Sequence, residues 1–146
     1  MDSLDNIIET MVMQHRILQK YLGEIKIFAE AAEPEINLIG RNLRSFAVAL
    51  AGHRQLEEGI FYPELLKRMA ERGSDITKIK EFIGEMIKIS EVIEVFLNKY
   101  PSEAELRTYL SDFRPALEEV SQKLNLRIES EEAGVFSYWS ALQAKT

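Results

Sequence analysis

The sequence predicts an all-α protein folded as an antiparallel up-down-up-down four-helix bundle. Apolar residues recur at alternating spacings of three and four through four long segments, the pattern of helices with one buried face. Only 7 glycines and 4 prolines occur in 146 residues, so long helices are possible. The connections are short, which places consecutive helices side by side in opposite directions. The length fits a single domain spanning residues 1–146.

The first two segments each show a start or stop signal. The first covers residues 4–29, with Ser3 as a candidate N-cap. The second covers residues 36–60 and is interrupted by Pro63, because proline removes a helical hydrogen bond. Gly73 is expected to end the helical tail that follows, since glycine favours the left-handed conformation found there.

The third segment covers residues 79–96, and a short helix is expected before the fourth segment. Ser102 and Glu105 have the spacing of a capping box, which predicts a separate short helix or turn over residues 102–112. The main fourth helix then starts near Pro115, because proline suits the first helical position. We expect helix breaks near both Pro63 and Pro115.

The two halves of the chain resemble each other. Residues 8–25 align with residues 79–96, and residues 53–58 align with residues 127–132. The alignment indicates two duplicated helical hairpins, too long in period and too few in copies for a solenoid.

Composition excludes several classes of function. A net charge of −6 argues against nucleic acid or an anionic membrane as partner. With no cysteine there is no disulfide, thiolate metal site or cysteine nucleophile. The N-terminus lacks the basic start of a signal peptide, and no apolar run is long enough to span a membrane. We expect a cytoplasmic protein; a protein partner or a homodimer stays open.

Charged residues stand on the predicted core faces at one level of the bundle. Burying an unpaired charge is costly, so a single such residue is unusual and several at one height suggest a site. Counting at about 1.5 Å per residue from the helix ends places the members together. The layer consists of His15, His53, Glu57, Arg127 and Glu131, with Met86 at the same height.

The motifs in this layer resemble those of the hemerythrin-like (HHE) family. His53-Arg-Gln-Leu-Glu57-Glu58, followed by Tyr62-Pro63, is similar to the family's His-x-x-x-Glu-Glu motif. A lone His15 on the preceding helix and Arg127-Ile-Glu-Ser-Glu131-Glu132 on the last helix complete the order of motifs. The resemblance covers nearly the whole chain.

The resemblance implies a metal site with an incomplete ligand set. Family members hold two irons between the helices with histidines and bridging carboxylates. By motif, the ligand positions here are His15, His53, Glu57 and Glu131. Met86 and Arg127 stand where the family has histidines, and arginine cannot give up its proton to become a ligand. A complete di-iron centre is therefore not expected, and Arg127 is expected to bridge Glu57 and Glu131 as a counter-charge.

Four further residues are candidates for contacting the ligands from outside the layer: Glu58, Tyr62, Glu85 and Glu132. Each also has a simpler interpretation. Glu58 and Glu132 point off the core face and would be solvated, Glu85 would lie on the surface, and Tyr62 would be a partly buried anchor.

Three functions remain open. The first is a module that binds one Fe, Zn or Mn ion in a sensory or regulatory role, without carrying oxygen. The second is a metal-free descendant in which Glu57, Arg127 and Glu131 form a structural network and the outer surface binds a protein. An enzyme is the weakest interpretation, because di-metal oxidase chemistry needs an open metal pair.

Overall fold

A computed structural model describes residue 4 and residues 6–144. These residues are helical throughout apart from the connections, and no strand occurs among them. The Ser3 cap predicted from the sequence lies outside the described residues. The elements are α1 (Ile7–Glu30), α2 (Ile36–Leu56), α3 (Tyr62–Glu71), α4 (Thr77–Asn98), α5 (Glu103–Thr108), α6 (Leu110–Ser130) and α7 (Phe136–Ala144). Two π-helical segments, π1 (Glu57–Phe61) and π2 (Glu131–Val135), join α2 to α3 and α6 to α7.

The helices assemble as the predicted all-α bundle of four columns. The columns are α1, α2 with π1 and α3, α4, and α6 with π2 and α7. Along the bundle, α1 packs against α2 and α6, while α4 packs against α6 and also touches α2 and α3. Short connections between successive columns give the up-down-up-down order.

Gly73 ends the second column as predicted. Its φ angle is 75°, the left-handed region that glycine enters without steric cost. The amide of Gly73 donates to the carbonyl of Ala70, and the amide of Ser74 donates to the carbonyl of Met69. These two bonds form a Schellman motif, which satisfies carbonyls left free at the helix end.

Pro63 does not separate two helices. The α-helical pattern stops at Leu56, but π1 and α3 continue the same column, and Pro63 lies in the first turn of α3. Because proline has no amide hydrogen, one backbone hydrogen bond of this continuous column is missing at Pro63. The predicted interruption is therefore a change of helix type before the proline.

The expected start of the fourth helix at Pro115 is wrong. A short helix does precede it, as predicted, but α6 begins at Leu110 and contains Pro115 in its second turn. The Tyr109 carbonyl accepts the amides of Asp112 and Phe113 and nucleates the helix there. The proline then costs one backbone hydrogen bond, while its fixed φ angle suits the helix.

The capping box predicted before the short helix is formed only in part. The hydroxyl of Ser102 donates to the carboxylate of Glu105, and its oxygen caps no backbone amide of α5. The carboxylate of Glu105 also interacts with the backbone amide of Ser102, which is one half of the motif, while the other half, from the Ser102 side chain to the helix backbone, is missing.

The apolar core is divided into two clusters. One surrounds Phe46, Ile93 and Phe113, and the other surrounds Phe61, Leu65 and Trp139. Buried polar residues lie between the clusters, so the candidate site is sealed by apolar side chains above and below.

Candidate metal centre

Six buried polar or charged residues in the described part of the chain form a single layer across the bundle. All four columns contribute, and none of the six side chains is more than 2% exposed. They are His15, His53, Glu57, Ser90, Arg127 and Glu131.

Helical periodicity puts these residues in the interior. His15 lies four residues after the buried Met11 and three before the buried Leu18, so it shares their face of α1. Ser90 has the same relation to Met86 and Ile93 on α4. The layer is thus built from ordinary core positions that happen to be polar.

Both histidines are oriented by a hydrogen bond at Nδ1. His15 Nδ1 is 2.8 Å from Oε2 of Glu132, and His53 Nδ1 is 2.7 Å from Oε1 of Gln14. Because each partner is an oxygen acceptor, Nδ1 holds the ring proton and Nε2 of a neutral ring has a free lone pair. The two rings are edge-on, with centroids 4.7 Å apart.

The Nε2 atoms face the two carboxylates. His53 Nε2 lies 3.2 Å from Oε2 of Glu57, and His15 Nε2 lies 4.0 Å from Oε1 of Glu131. His15 Nε2, Glu57 Oε2 and Glu131 Oε2 are buried and have no hydrogen-bond partner among the described residues. One ligand atom from each of His15, His53, Glu57 and Glu131 lies within 4.8 Å of the others, close enough for small side-chain movements to bring all four around one metal ion.

Arg127 connects the two carboxylates from the opposite side. Its Nε donates to Oε1 of Glu131 at 2.9 Å, its Nη2 donates to Oε1 of Glu57, and its Nη1 donates to Oγ of Ser90. Each carboxylate therefore gives Oε1 to the guanidinium and keeps Oε2 free. The guanidinium bridges both glutamates, the arrangement expected from its place in the sequence.

The charged groups of the layer sum to one net negative charge near pH 7. Burial lowers the pKa of His15, helped by the neighbouring His53. Burial also lowers the pKa of His53 to about 4; desolvation is the largest cause, and together with the smaller effect of Arg127 it outweighs Glu131 and Glu58, which both raise the pKa. Both rings are therefore neutral near pH 7. Two carboxylates against one guanidinium then leave one net negative charge, which favours a bound cation.

Of the four candidates outside the layer, Glu132 contacts a predicted ligand directly. It is 25% exposed rather than fully solvated, and its second oxygen accepts from Nη2 of Arg16 at 2.6 Å. These two hydrogen bonds outweigh the effect of burial and lower the pKa of Glu132. A carboxylate on the outer nitrogen of a histidine is the usual support for a metal-binding imidazole.

The other three candidates lie in different surroundings. Glu58 pairs with Arg54 near the surface, and Glu85 is exposed on α4. Tyr62 is buried at 2% exposure, and its hydroxyl lies beside the carboxylate of Glu131, although no hydrogen bond of normal geometry forms there among the described residues. Burial raises the pKa of Tyr62 most, and the charge of Glu131 and the contact with its carboxylate raise it further, so the hydroxyl stays protonated.

Two residues of the site were missed by the sequence argument. Ser90 was missed because Met86, Ile89 and Ile93 already satisfy the apolar 3-4 spacing of the third segment, whereas the structure turns Ser90 inward. The four-residue step from Met86 to Ser90 and the three-residue step to Ile93 were the available signal. Gln14 had no signal, since an amide beside His15 is an ordinary surface residue until the fold brings His53 to it.

Aromatic residues close the layer at one end. Phe136 stacks on His15 with centroids 5.7 Å apart and planes 6° from parallel. Phe61 packs against both Phe136 and Trp139. The aromatic residues Phe136 and Trp139 near the C-terminus therefore pack over one end of the layer, while Tyr138 is exposed.

Comparison with known proteins identifies the family. The model of the hemerythrin HHE cation binding domain matches residues 6–139, most of the chain. No significant match was found among curated proteins or solved structures. Among the described residues, no helix has the length and apolar character needed to cross a bilayer. The family match, the helical bundle and the buried histidine–glutamate layer agree, and the chain belongs to the hemerythrin HHE cation-binding domain family.

Proposed function

We propose that this domain binds a single divalent metal ion in its polar layer. The ligands are Nε2 of His15, Nε2 of His53, and the free Oε2 atoms of Glu57 and Glu131. Two imidazoles and two carboxylates suit Zn²⁺, Fe²⁺ or Mn²⁺. When bound, such an ion supplies a Lewis acid or, for iron and manganese, a redox-sensitive centre.

The observation behind this proposal is that each carboxylate has one bonded oxygen and one buried oxygen without a partner. Oε1 of both glutamates is bonded to Arg127, while Oε2 of both is buried without a partner. A buried carboxylate oxygen without a donor costs about 1–3 kcal/mol or more. A cation between these oxygens and the two Nε2 atoms removes that cost.

Arg127 limits the site to one ion. It occupies the place where the family has a histidine, and its positive charge would repel a second cation. Met86, which stands at the other position where the family has a histidine, offers only a thioether as a ligand. A sensory or regulatory role therefore suits the domain better than oxygen transport, which in this family uses a pair of irons.

The metal-free alternative also has support. Arg127 already satisfies one oxygen of each glutamate and the hydroxyl of Ser90 without any ion. Such a fully buried network fixes the register of the helices. In that case the function would lie in a protein contact on the outer surface.

Metal content decides between the two. Protein purified without chelators or a metal-affinity step is measured by elemental analysis, with an expected value of one metal per chain. Glu131→Gln should lower it strongly, while Glu85→Gln, exposed on α4, should leave it unchanged. Aerobic protein loaded with iron should lack the near-ultraviolet bands of an oxo-bridged pair. Wild-type protein free of metal, and unable to take any up, would support the metal-free network instead.

A further inference from the structure

A groove on the bundle surface ends next to the candidate ligands. It lies between α1 and α7, has a volume of about 440 Å³, and includes one charged residue, Glu132. Its lining residues are Ile8, Val12, Glu132, Phe136, Ser137 and Ser140.

Two of the side chains that line this groove contact His15. Glu132 bonds Nδ1 of the ring, and Phe136 covers its face. His15 itself is only 1% exposed, so any ion that reaches Nε2 must pass a neighbour that moves. Glu132 is held from outside by Arg16, which is 52% exposed and free to exchange with solvent.

Two other grooves do not lead to the layer. The largest described, about 600 Å³, lies between α4 and α6 and includes Val92 and Val95. A third, about 380 Å³, lies between α1 and α2 and includes Ser45 and Val48. Within the described part of the chain, no hydrogen bond, ion pair or ring contact joins a residue of either groove to a candidate ligand.

We propose that the groove between α1 and α7 is the passage by which the metal ion enters and leaves the layer. The ion passes between Glu132 and Phe136 when the Arg16–Glu132 pair opens. The negative charge of Glu132 at the inner end of an otherwise uncharged groove attracts the cation. This inference rests on the proposed function, because it concerns how the same site is loaded.

A substitution in a passage changes the kinetics of metal binding differently from a substitution of a ligand. Narrowing the passage raises the barrier for metal entry and for metal release by the same amount, so both rates fall while the dissociation constant stays the same. Ser140 is exposed at the groove and is not one of the proposed ligands. Ser140→Phe is therefore a suitable variant for narrowing the groove. Val12→Ala is the complementary widening variant.

The experiment follows Co²⁺ uptake by its visible absorption in stopped flow, and Co²⁺ release after addition of excess chelator. Ser140→Phe should slow both rates by about tenfold, the effect of a barrier about 1.4 kcal/mol higher. Val12→Ala should accelerate both. Ser45→Phe, the same substitution in the groove between α1 and α2, is the matched control and should change neither.

Three results would overturn the inference. Unchanged rates in both groove variants would place the passage elsewhere. A changed dissociation constant with only one altered rate would mean that the groove positions the ligands. Equal slowing by Ser45→Phe would indicate a general effect of added bulk. Wild-type protein that takes up no Co²⁺ at equilibrium would instead refute the proposed function, a result distinct from the other three.

Discussion

At the scale of single residues, Arg127 determines the chemistry of the layer. Its guanidinium is 1% exposed and donates to two glutamates and a serine. A planar fork with several donors can serve three acceptors at once, which a lysine ammonium cannot do with the same geometry. The arginine thus supplies the positive charge that two buried carboxylates require, and leaves one oxygen of each for a metal.

Removing this guanidinium should destabilise the metal-free protein strongly. Arg127→Met leaves two buried carboxylates facing each other, and breaking such a network costs about 3–5 kcal/mol. Excess Zn²⁺ should restore part of the loss, because an ion can supply the missing charge. The measurement is the free energy of unfolding in urea with and without metal.

Arg54 provides the control, because it also pairs with two glutamates, Glu58 and Glu94, but near the surface. Arg54→Met should cost about 1 kcal/mol or less. Equal losses in the two variants would show that Arg127 is not part of a buried network.

Ser90 should matter through its hydrogen bond. Ser90→Ala leaves Nη1 of Arg127 without its buried acceptor, and we predict a loss of about 1–3 kcal/mol in the free energy of unfolding. Ser121 is the comparison, since its buried hydroxyl has no partner among the described residues. Ser121→Ala should therefore be close to neutral or slightly stabilising. A larger loss of stability in Ser121→Ala than in Ser90→Ala would argue against the hydrogen bond between Arg127 and Ser90.

The pKa of His53 predicts how stability depends on pH in the metal-free protein. The pKa is about 4 when folded and near 6.5 when unfolded, so the unfolded chain binds more protons between these values. Stability should therefore be complete above about pH 6.5 and fall as pH drops toward 4, by on the order of 3 kcal/mol for this group. Urea titrations between pH 4 and 7 should show a smaller slope in His53→Gln, and an unchanged slope would contradict the assignment.

At the scale of elements, the two π segments are tied to the layer. Each begins at one of its glutamates, and the amides of Tyr62 and Phe136 donate to the carbonyls of Glu57 and Glu131, five residues back. A four-residue step overshoots one α-helical turn by about 40°, so repeated steps of four would rotate the buried face away. A wider turn corrects the rotation, and such turns are frequent at functional sites. The runs of buried residues concerned are 53, 57, 61, 65, 69 and 127, 131, 135, 139.

Two glycines should respond in opposite ways to alanine. Gly73→Ala places a side chain at φ 75°, which costs about 1–2 kcal/mol. Gly52→Ala, inside α2 with nothing within 4 Å of the added carbon, should gain about 0.5–1 kcal/mol from helix propensity. Thermal unfolding of the two variants beside wild type tests both signs. Stabilisation by Gly73→Ala would mean that the turn can adopt another conformation.

At the scale of the whole molecule, the layer lies between two separate apolar clusters. Four columns reach it, so its geometry depends on packing at both ends rather than on one helix. This arrangement excludes water from the carboxylates and strengthens their interaction with Arg127 or a metal. In the internal alignment of the sequence, Met86 corresponds to His15 and Arg127 corresponds to His53.

Restoring the missing histidines should change the number of metals held. Met86 is 4% exposed beside the layer, and Arg127 lies within it. The double substitution Met86→His with Arg127→His removes the positive charge and adds two imidazoles, so iron content should rise from one toward two per chain. Met86→His alone keeps the guanidinium and should stay near one. Elemental analysis gives the values, and a double variant that stays at one would refute the charge argument.

The sequence by itself determined the all-α bundle, the end of the second column at Gly73, and the height shared by His15, His53 and Arg127. Those features follow from periodicity and turn chemistry, which are local. The sequence also contained a local signal for the π segments, because the buried residues around them recur every four positions. This signal is hidden when the spacings are treated as a regular alternation of three and four.

Only the tertiary structure decided which polar atoms meet. The contacts of Gln14 with His53, of Glu132 with His15 and of Ser90 with Arg127 each join different columns. The start of α6 before Pro115 was likewise set by the turn at Tyr109 rather than by the proline. The physical reason is that periodicity fixes the face on which a side chain lies, whereas its partner depends on the rotation and height of a second helix. Those two quantities are set by packing of the whole core.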